Sequence, residues 1–258
     1  MSKQTELAQV ADTITVVSGN LALGDPNSEG YKLEVSTQNN AANLMLHKRA
    51  AGGAGLATNL AMQVTQTNGQ SARLAEIGSN FVSNWGGELH FATKSANGSP
   101  NNSTTERMRI DSAGRVTKPN QPVFFAQGGS SYAEGTGQSV VLFGFANPNV
   151  GSHYNTTNGR FTAPVAGNYF FSTQVRIDNP NVSYFRVHIR KNGTVSFTQP
   201  HSIYDFGTNW DPRYASMPAS GAIALAANDY VEVVIDSSTD TSITVHPNES
   251  GFSGYLIG

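Results

Sequence analysis

The sequence has no cysteine, which excludes a disulfide framework, a thiolate-bound zinc or iron–sulfur centre and a thiol nucleophile. Charge is scarce: 13% of the residues are Asp, Glu, Lys or Arg, against about 25% in ordinary globular chains. With 16 basic and 18 acidic residues there is no one-signed field to draw in nucleic acid or an anionic membrane, so neither is expected as a partner. Nowhere do about 18 apolar residues run together, and MSKQTELAQVADTITVV has no long apolar run behind basic residues. Neither membrane insertion nor a signal peptide is therefore expected. Catalytic signatures are missing as well, with no G-x-S-x-G, no H-E-x-x-H and no phosphate loop. The stretch Gly53-Ala54-Gly55-Leu56-Ala57-Thr58 breaks the dinucleotide pattern at its last position. The histidines His47, His90, His153, His188, His201 and His246 form no pair at ligand spacing on one element. His90 and His188, at polar positions of predicted strands, read as solvated.

What is abundant is Ser, Thr, Asn and 26 glycines, a mix that favours strands and turns over exposed helices. The chain is uneven. Tyr31, Phe81, Trp85 and Phe91 are the aromatics before position 121, and 20 of the 24 follow it. Large apolar residues number 28 in the first 120 positions and 44 in the last 138. The change falls at Lys118-Pro119-Asn120-Gln121-Pro122, a proline-marked join. Ordering a residue costs about 1.5 kcal/mol, and a large buried side chain returns about 1.5–3. The first part is thus expected to be stable only when packed against other copies of itself, whereas the second can fill its own core.

Ser2 as a cap, with Leu7, Val10, Ala11 and Ile14 at helical spacing, predicts a short N-terminal helix and an attachment segment over 1–13. Hairpins follow over 14–120. Leu60, Met62 and Val64 alternate with polar or small residues, Asn68-Gly69 offers a turn, and Arg73 to Ile77 resumes the extended run. Glu88 to Lys94 and Arg107 to Asp111 flank a Ser/Asn/Gly/Thr loop, which predicts Leu89 and Phe91 on one apolar face with Met108 and Ile110. Ile14 to Leu21 and Met108 to Val116 share an extended run, a Ser/Gly turn and a return to an extended apolar residue. The pieces ITVVSGNLALG, YKLEV, RLAEIGSNF, GGELHFATK and TERMRIDSAGRV resemble the shaft segments of bacteriophage tail-fibre and related virion fibre proteins over 14–117. That resemblance implies an intertwined trimeric β shaft on a virion surface.

In the last part Phe143, Asn149, Tyr154, Phe161 and Gly167-Asn168-Tyr169-Phe170-Phe171 are similar in spacing to the C1q-like domain pattern. Asn158 to Pro164, Arg190-Lys191-Asn192-Gly193, Ser220 to Leu225 and Phe252 to Leu256 follow in that family's order. The resemblance spans 121–258 and implies a ten-strand C1q/TNF-like jelly roll that assembles as a homotrimer. Periodicity alone agrees on a sandwich: Arg186 to Arg190 alternates, Asn192-Gly193 turns it back toward Val195 and Phe197, and Val231, Val233 and Ile235 mark a strand covered on both faces. Phe161, Tyr169, Phe171 and Phe252 read as core.

Gln199 to Pro218 looks least like scaffold, being long, proline-marked and without sustained alternation. Tyr204, Trp210 and Tyr214, with Asp205, Asn209, Asp211 and Arg213 beside them, form the candidate receptor-binding set, since aromatic faces among hydrogen-bonding groups suit sugar rings or protein epitopes. Asp205 and Asp211 share one loop and could stand at the separation that glycosidic carboxylates need, but paired acids on a polar loop are usually just solvated, and no enzyme is expected. Asp236 and Asp240 are calcium candidates at a trimer apex, as in some C1q-like domains, without the spacing of a dedicated calcium loop. No other cofactor is expected. The combined expectation is an all-β, homotrimeric virion fibre. Its 1–13 segment grips another virion protein, a shaft over 14–120 follows, and a head over 121–258 meets a host-surface glycan or protein. The alternatives are a purely structural fibre or decoration protein and a host polysaccharide depolymerase.

Overall fold

Short alternating runs bounded by glycine, asparagine and proline give strands almost throughout. The computed structural model describes residues 14–17, 20–23, 57–65, 70–82, 86–96, 103–129, 132–134, 137–178, 184–194, 201–205, 214–237 and 243–258. The attachment helix expected over 1–13 and the Asn68-Gly69 turn lie outside them. Strands β1 (Ile14–Val17) and β2 (Asn20–Leu23) pair antiparallel with Val17 opposite Asn20, the two extended runs read there. The next five strands, β3 (Ala57–Thr65), β4 (Ser71–Phe81), β5 (Gly87–Thr93), β6 (Thr105–Ile110) and β7 (Val116–Thr117), form one antiparallel sheet in chain order. The predicted common apolar face is formed, with Leu89 opposite Ile110 and Phe91 opposite Met108.

Across that sheet Leu60, Ile77, Phe91 and Met108 make a continuous apolar row. Among the described residues nothing covers it: Leu60, Met62, Ile77 and Leu89 are 37–49% exposed. Ala92 is the only buried hydrophobic residue of this half among the described residues. The other face carries ions. Glu76 is buried beside Arg73 Nη1 at 2.5 Å and His90 Nε2 at 3.5 Å, and Arg109 joins Glu88 at 2.5 Å to Glu106 at 2.6 Å. His90, expected to be solvated, is therefore buried. Gly78 faces it in register, and a side chain there would strike the imidazole and the Asn59 amide, so the ring folds over the glycine.

The remaining strands are β8 (Val123–Gln127), β9 (Tyr132–Glu134), β10 (Gly137–Val140), β11 (Phe145–Asn149), β12 (Tyr154–Asn155), β13 (Arg160–Thr162), β14 (Gly167–Asp178), β15 (Tyr184–Lys191), β16 (His201–Asp205), β17 (Tyr214–Leu225), β18 (Tyr230–Ser237), β19 (Ile243–Val245) and β20 (Gly251–Leu256). One sheet runs β12-β13-β18-β15-β16, with β10 also on β18; the other runs β11-β8-β20-β14-β19-β9, with β17 on β14. The segments outnumber the ten expected strands because partners of long strands are interrupted: β19 and β20 both pair β14, at different ends.

The spaced aromatics fill the space between the sheets. Phe124 stacks on Tyr154 and Phe161 with ring centres 5.0 Å apart, Phe252 meets Phe124 edge-on, and Phe161 leans on Tyr169 and Phe171. Phe161, Tyr169, Phe171 and Phe252 are fully buried, the core role read from sequence. Asn149 closes the pattern by accepting from the Tyr154 N–H and donating to its carbonyl. A side chain at Gly254 would run into the Phe171 and Phe124 rings, which accounts for glycine inside that strand.

Both faces of β18 are covered, as its sequence implied. On the outer face Glu232 is fully buried, paired in register with Arg160 (2.9 Å) and Arg190 (2.6 Å). His188 pairs opposite Val234 and is 5% exposed, so its expected solvation is corrected: the outer face of this strand is covered, whereas His90 is buried by folding over Gly78 beside Glu76. Asn192 and Gly193, both at positive φ, make the predicted turn after β15, while Val195 and Phe197 lie outside the described residues.

Candidate functional site

The sheet holding β8, β20, β14 and β17 buries one face in the core and leaves the other open. Its register lays out a grid on the open side. Val123, Tyr255, Phe170 and Ala222 form one row; Phe125, Ser253, Ser172 and Ser220 the next; Gln127, Gly251, Gln174 and Pro218 the third. None of these side chains is charged. Tyr255 is 47% and Phe125 38% exposed, and the Phe170 and Tyr255 rings touch with centres 5.7 Å apart. A depression of about 400 Å³ lies over the third row, walled by Phe125, Pro218, Glu249 and Ser250. Charge stands at its margin, in Glu249 beside the depression and past Gln174, where Arg176 pairs with Asp178 and Glu249 and sits over the Tyr214 ring. His246 Nε2 lies 2.9 Å from the same Asp178. Flat, uncharged and built of aromatic and small hydroxyl side chains, the grid suits a protein surface of like character.

The sequence did not single out this face. The signal was present in β17, where Ser216, Pro218, Ser220, Ala222 and Ala224 alternate with core residues. Small residues on every second position mark a strand whose outward side must admit a close neighbour.

The expected receptor segment is more ordered than its composition implied. His201–Asp205 pairs with β15, Tyr204 opposite Phe185 and Asp205 opposite Tyr184, and Tyr214 to Pro218 already belong to β17. The correction to the Gln199–Pro218 loop is that its ends are strands, because backbone pairing with β15 and β14 overrides the weak side-chain alternation. Strands β16 and β17 approach each other at the edge of the sandwich. Tyr214 is 62% exposed. Asn209, Trp210, Asp211 and Arg213 lie outside the described residues. Of the calcium candidates, Asp236 is nearly buried, 3.8 Å from Arg186 and 3.4 Å from the Tyr184 hydroxyl, and Asp240 lies outside the described residues.

At the hairpin end of the head, Asp229 accepts from Lys191, the Asn192 side chain and the Ala226 N–H, which holds its carboxyl down to about 2.

The family profile of the C1q domain matches residues 123–257. Adipolin of Homo sapiens is 28% identical over 134 residues, covering 46% of this chain and 44% of its own length. Complement C1q tumor necrosis factor-related protein 3 of Mus musculus is 29% identical over 119 residues, 46% of this chain and 45% of its own. The chain thus matches less than half the length of these curated relatives. Among solved structures, the globular domain of the zebrafish complement 1qA protein aligns with 54% of this chain and 98% of its own, at 15% identity and a TM-score of 0.38. The relatives are animal proteins, further adipolins coming from Mus musculus and Xenopus tropicalis. They overturn the expected virion-surface location, and the tail-fibre resemblance of 14–117 finds no support among them. From the aromatic core to the last strand, the chain belongs to the C1q domain family.

Proposed function

We propose that the chain is a homotrimeric, non-enzymatic binding protein acting outside the cell, whose heads associate through the open grid and present the 199–218 segment to a surface glycan or protein. The observation that carries this reading is the uncharged grid of Val123, Phe125, Phe170, Tyr255 and their neighbours, left open by the chain's own fold. Burying it costs no ion desolvation. The uncovered apolar row of the five-stranded sheet has the same need, and the same three copies would meet it. Tyr214, exposed at the start of β17, supports the placement of the contact surface. Three copies of a weak site on one rigid particle raise apparent affinity by roughly 10²–10⁴ without new contacts.

Sedimentation equilibrium of the full chain tests the assembly. Wild type is expected at three times the 27.4 kDa chain mass, and Phe170→Glu with Tyr255→Glu is expected at one. A monomeric wild type overturns the reading. Trp210→Ala with Tyr214→Ala is expected to abolish cell-surface binding and leave the trimer intact; unchanged binding would leave the trimer as structure alone.

A further inference from the structure

Beside the join between the five-stranded sheet and the head lies a cleft of about 460 Å³, within the roughly 300–1,000 Å³ range of small-molecule sites. Its floor is apolar, made by Met108, Pro122, Pro164, Val165 and Leu256. The floor is firmly placed, since Pro122 is buried and its carbonyl accepts from the Leu256 N–H at 3.1 Å. Arg107, Lys118 and His153 supply its basic groups, and no aspartate or glutamate lines it. Among the described residues none of these three side chains is in an ion pair. Arg107 is nevertheless fixed in place, its Nε donating to Thr93 Oγ1 at 2.9 Å and its Nη2 to Ser95 Oγ at 3.2 Å, which leaves Nη1 available.

Two amides complete the lining. Gln121 Nε2 donates to the Leu256 carbonyl at 2.9 Å and Asn120 Nδ2 to the Glu106 carbonyl at 3.4 Å. Both amides are thereby held with their oxygens left to accept. Cations without carboxylate partners, oriented amide acceptors and an aliphatic floor are three demands that one ligand class meets together. Apart from the His153 imidazole no aromatic ring lines the cleft, so a flat nucleobase has nothing to stack on.

We propose that this cleft binds a hexuronate unit of an acidic glycan, with its carboxylate on Lys118 and Arg107, its hydroxyls on the amide oxygens of Asn120 and Gln121, and the C–H face of the ring on Val165 and Pro164. The site is separate from the 199–218 segment, and all of its lining residues come from one chain. Calorimetric titration of the full chain with a hyaluronan hexasaccharide, which carries glucuronate and no sulfate, tests it. Binding is expected, with a neutral chitin hexasaccharide at least tenfold weaker. Lys118→Ala and Val165→Asp are each expected to reduce affinity tenfold or more at an unchanged melting midpoint. Arg115→Ala, which removes a neighbouring exposed cation outside the cleft, is expected to change nothing. Absence of hyaluronan binding overturns the proposal. So does equal binding of dextran sulfate, which would show general polyanion attraction, and so does equal weakening by Arg115→Ala. Sedimentation of the same samples reads the trimer independently.

Discussion

Tyr169 has its ring against Phe161 and Phe171, and its hydroxyl donates to the Val165 carbonyl at 2.9 Å. Tyr169→Ala is expected to cost about 3–5 kcal/mol through the cavity it leaves, and Tyr169→Phe about 1 kcal/mol through the lost hydrogen bond, both measured by urea denaturation. An alanine variant as stable as a surface variant would remove Tyr169 from the core. Burial also pushes the Tyr169 phenol up. The folded state then holds its proton above pH ~10, where the unfolded chain has released it, so stability falls as pH rises past that value; Tyr169→Phe should lessen this alkaline loss. Asp229 has the opposite sign. With its carboxyl held down to about 2, the stabilisation is complete above the unfolded value near ~4 and is lost as pH falls from there toward 2. Asp229→Asn should flatten that acid limb in pH-dependent melting. Glu232→Ala strands two arginines over a fully buried position and is expected to cost about 3–5 kcal/mol. The aromatic core was legible from spacing alone because each ring keeps its place in a period-two strand. The burial of His90 and His188 was not, since it depends on which strand lies across and on what covers the second face.

At the scale of elements the clearest contrast is between the two sheet systems. The shared face of β5 and β6 was readable because Leu89, Phe91, Met108 and Ile110 alternate with polar residues, and a one-residue slip would turn one pair to the other side. The β6–β7 turn is readable for a local reason: Asp111 accepts from the Ala113 and Arg115 N–H groups and from Arg115 Nε, while Gly114 takes the positive φ. Strand β16 was hidden, because its stability comes from β15 rather than from its own pattern. A sheet with one uncovered apolar face should not stand alone in water. Residues 1–120 expressed by themselves are expected to show no cooperative melting by circular dichroism, or to aggregate, and a folded monomer of that fragment would contradict the need for other copies.

For the molecule as a whole, residues 121–258 are expected to fold and trimerise without the preceding sheet, because the C1q pattern, the buried aromatics and the open grid all lie within them. Since the grid carries no charge, the trimer should survive a tenfold change in salt concentration, checked by sedimentation; dissociation at high salt would mean that ion pairs hold it. Composition set the expectation of two parts, and the motif search set that of no catalytic signature. The location was misread, because short alternating hairpins rich in Ser, Asn and Gly are common to many β-rich chains and carry little information about origin. One feature of the head bears on its use as a component. Gln121 bonds the Leu256 carbonyl, and the Leu256 N–H bonds Pro122, so the entry and exit of the head lie side by side. A unit whose two ends meet can be spliced into a surface loop of an unrelated carrier, or reopened elsewhere with the old ends joined, without either end crossing the sandwich. Residues 121–258 are expected to tolerate such a transplant.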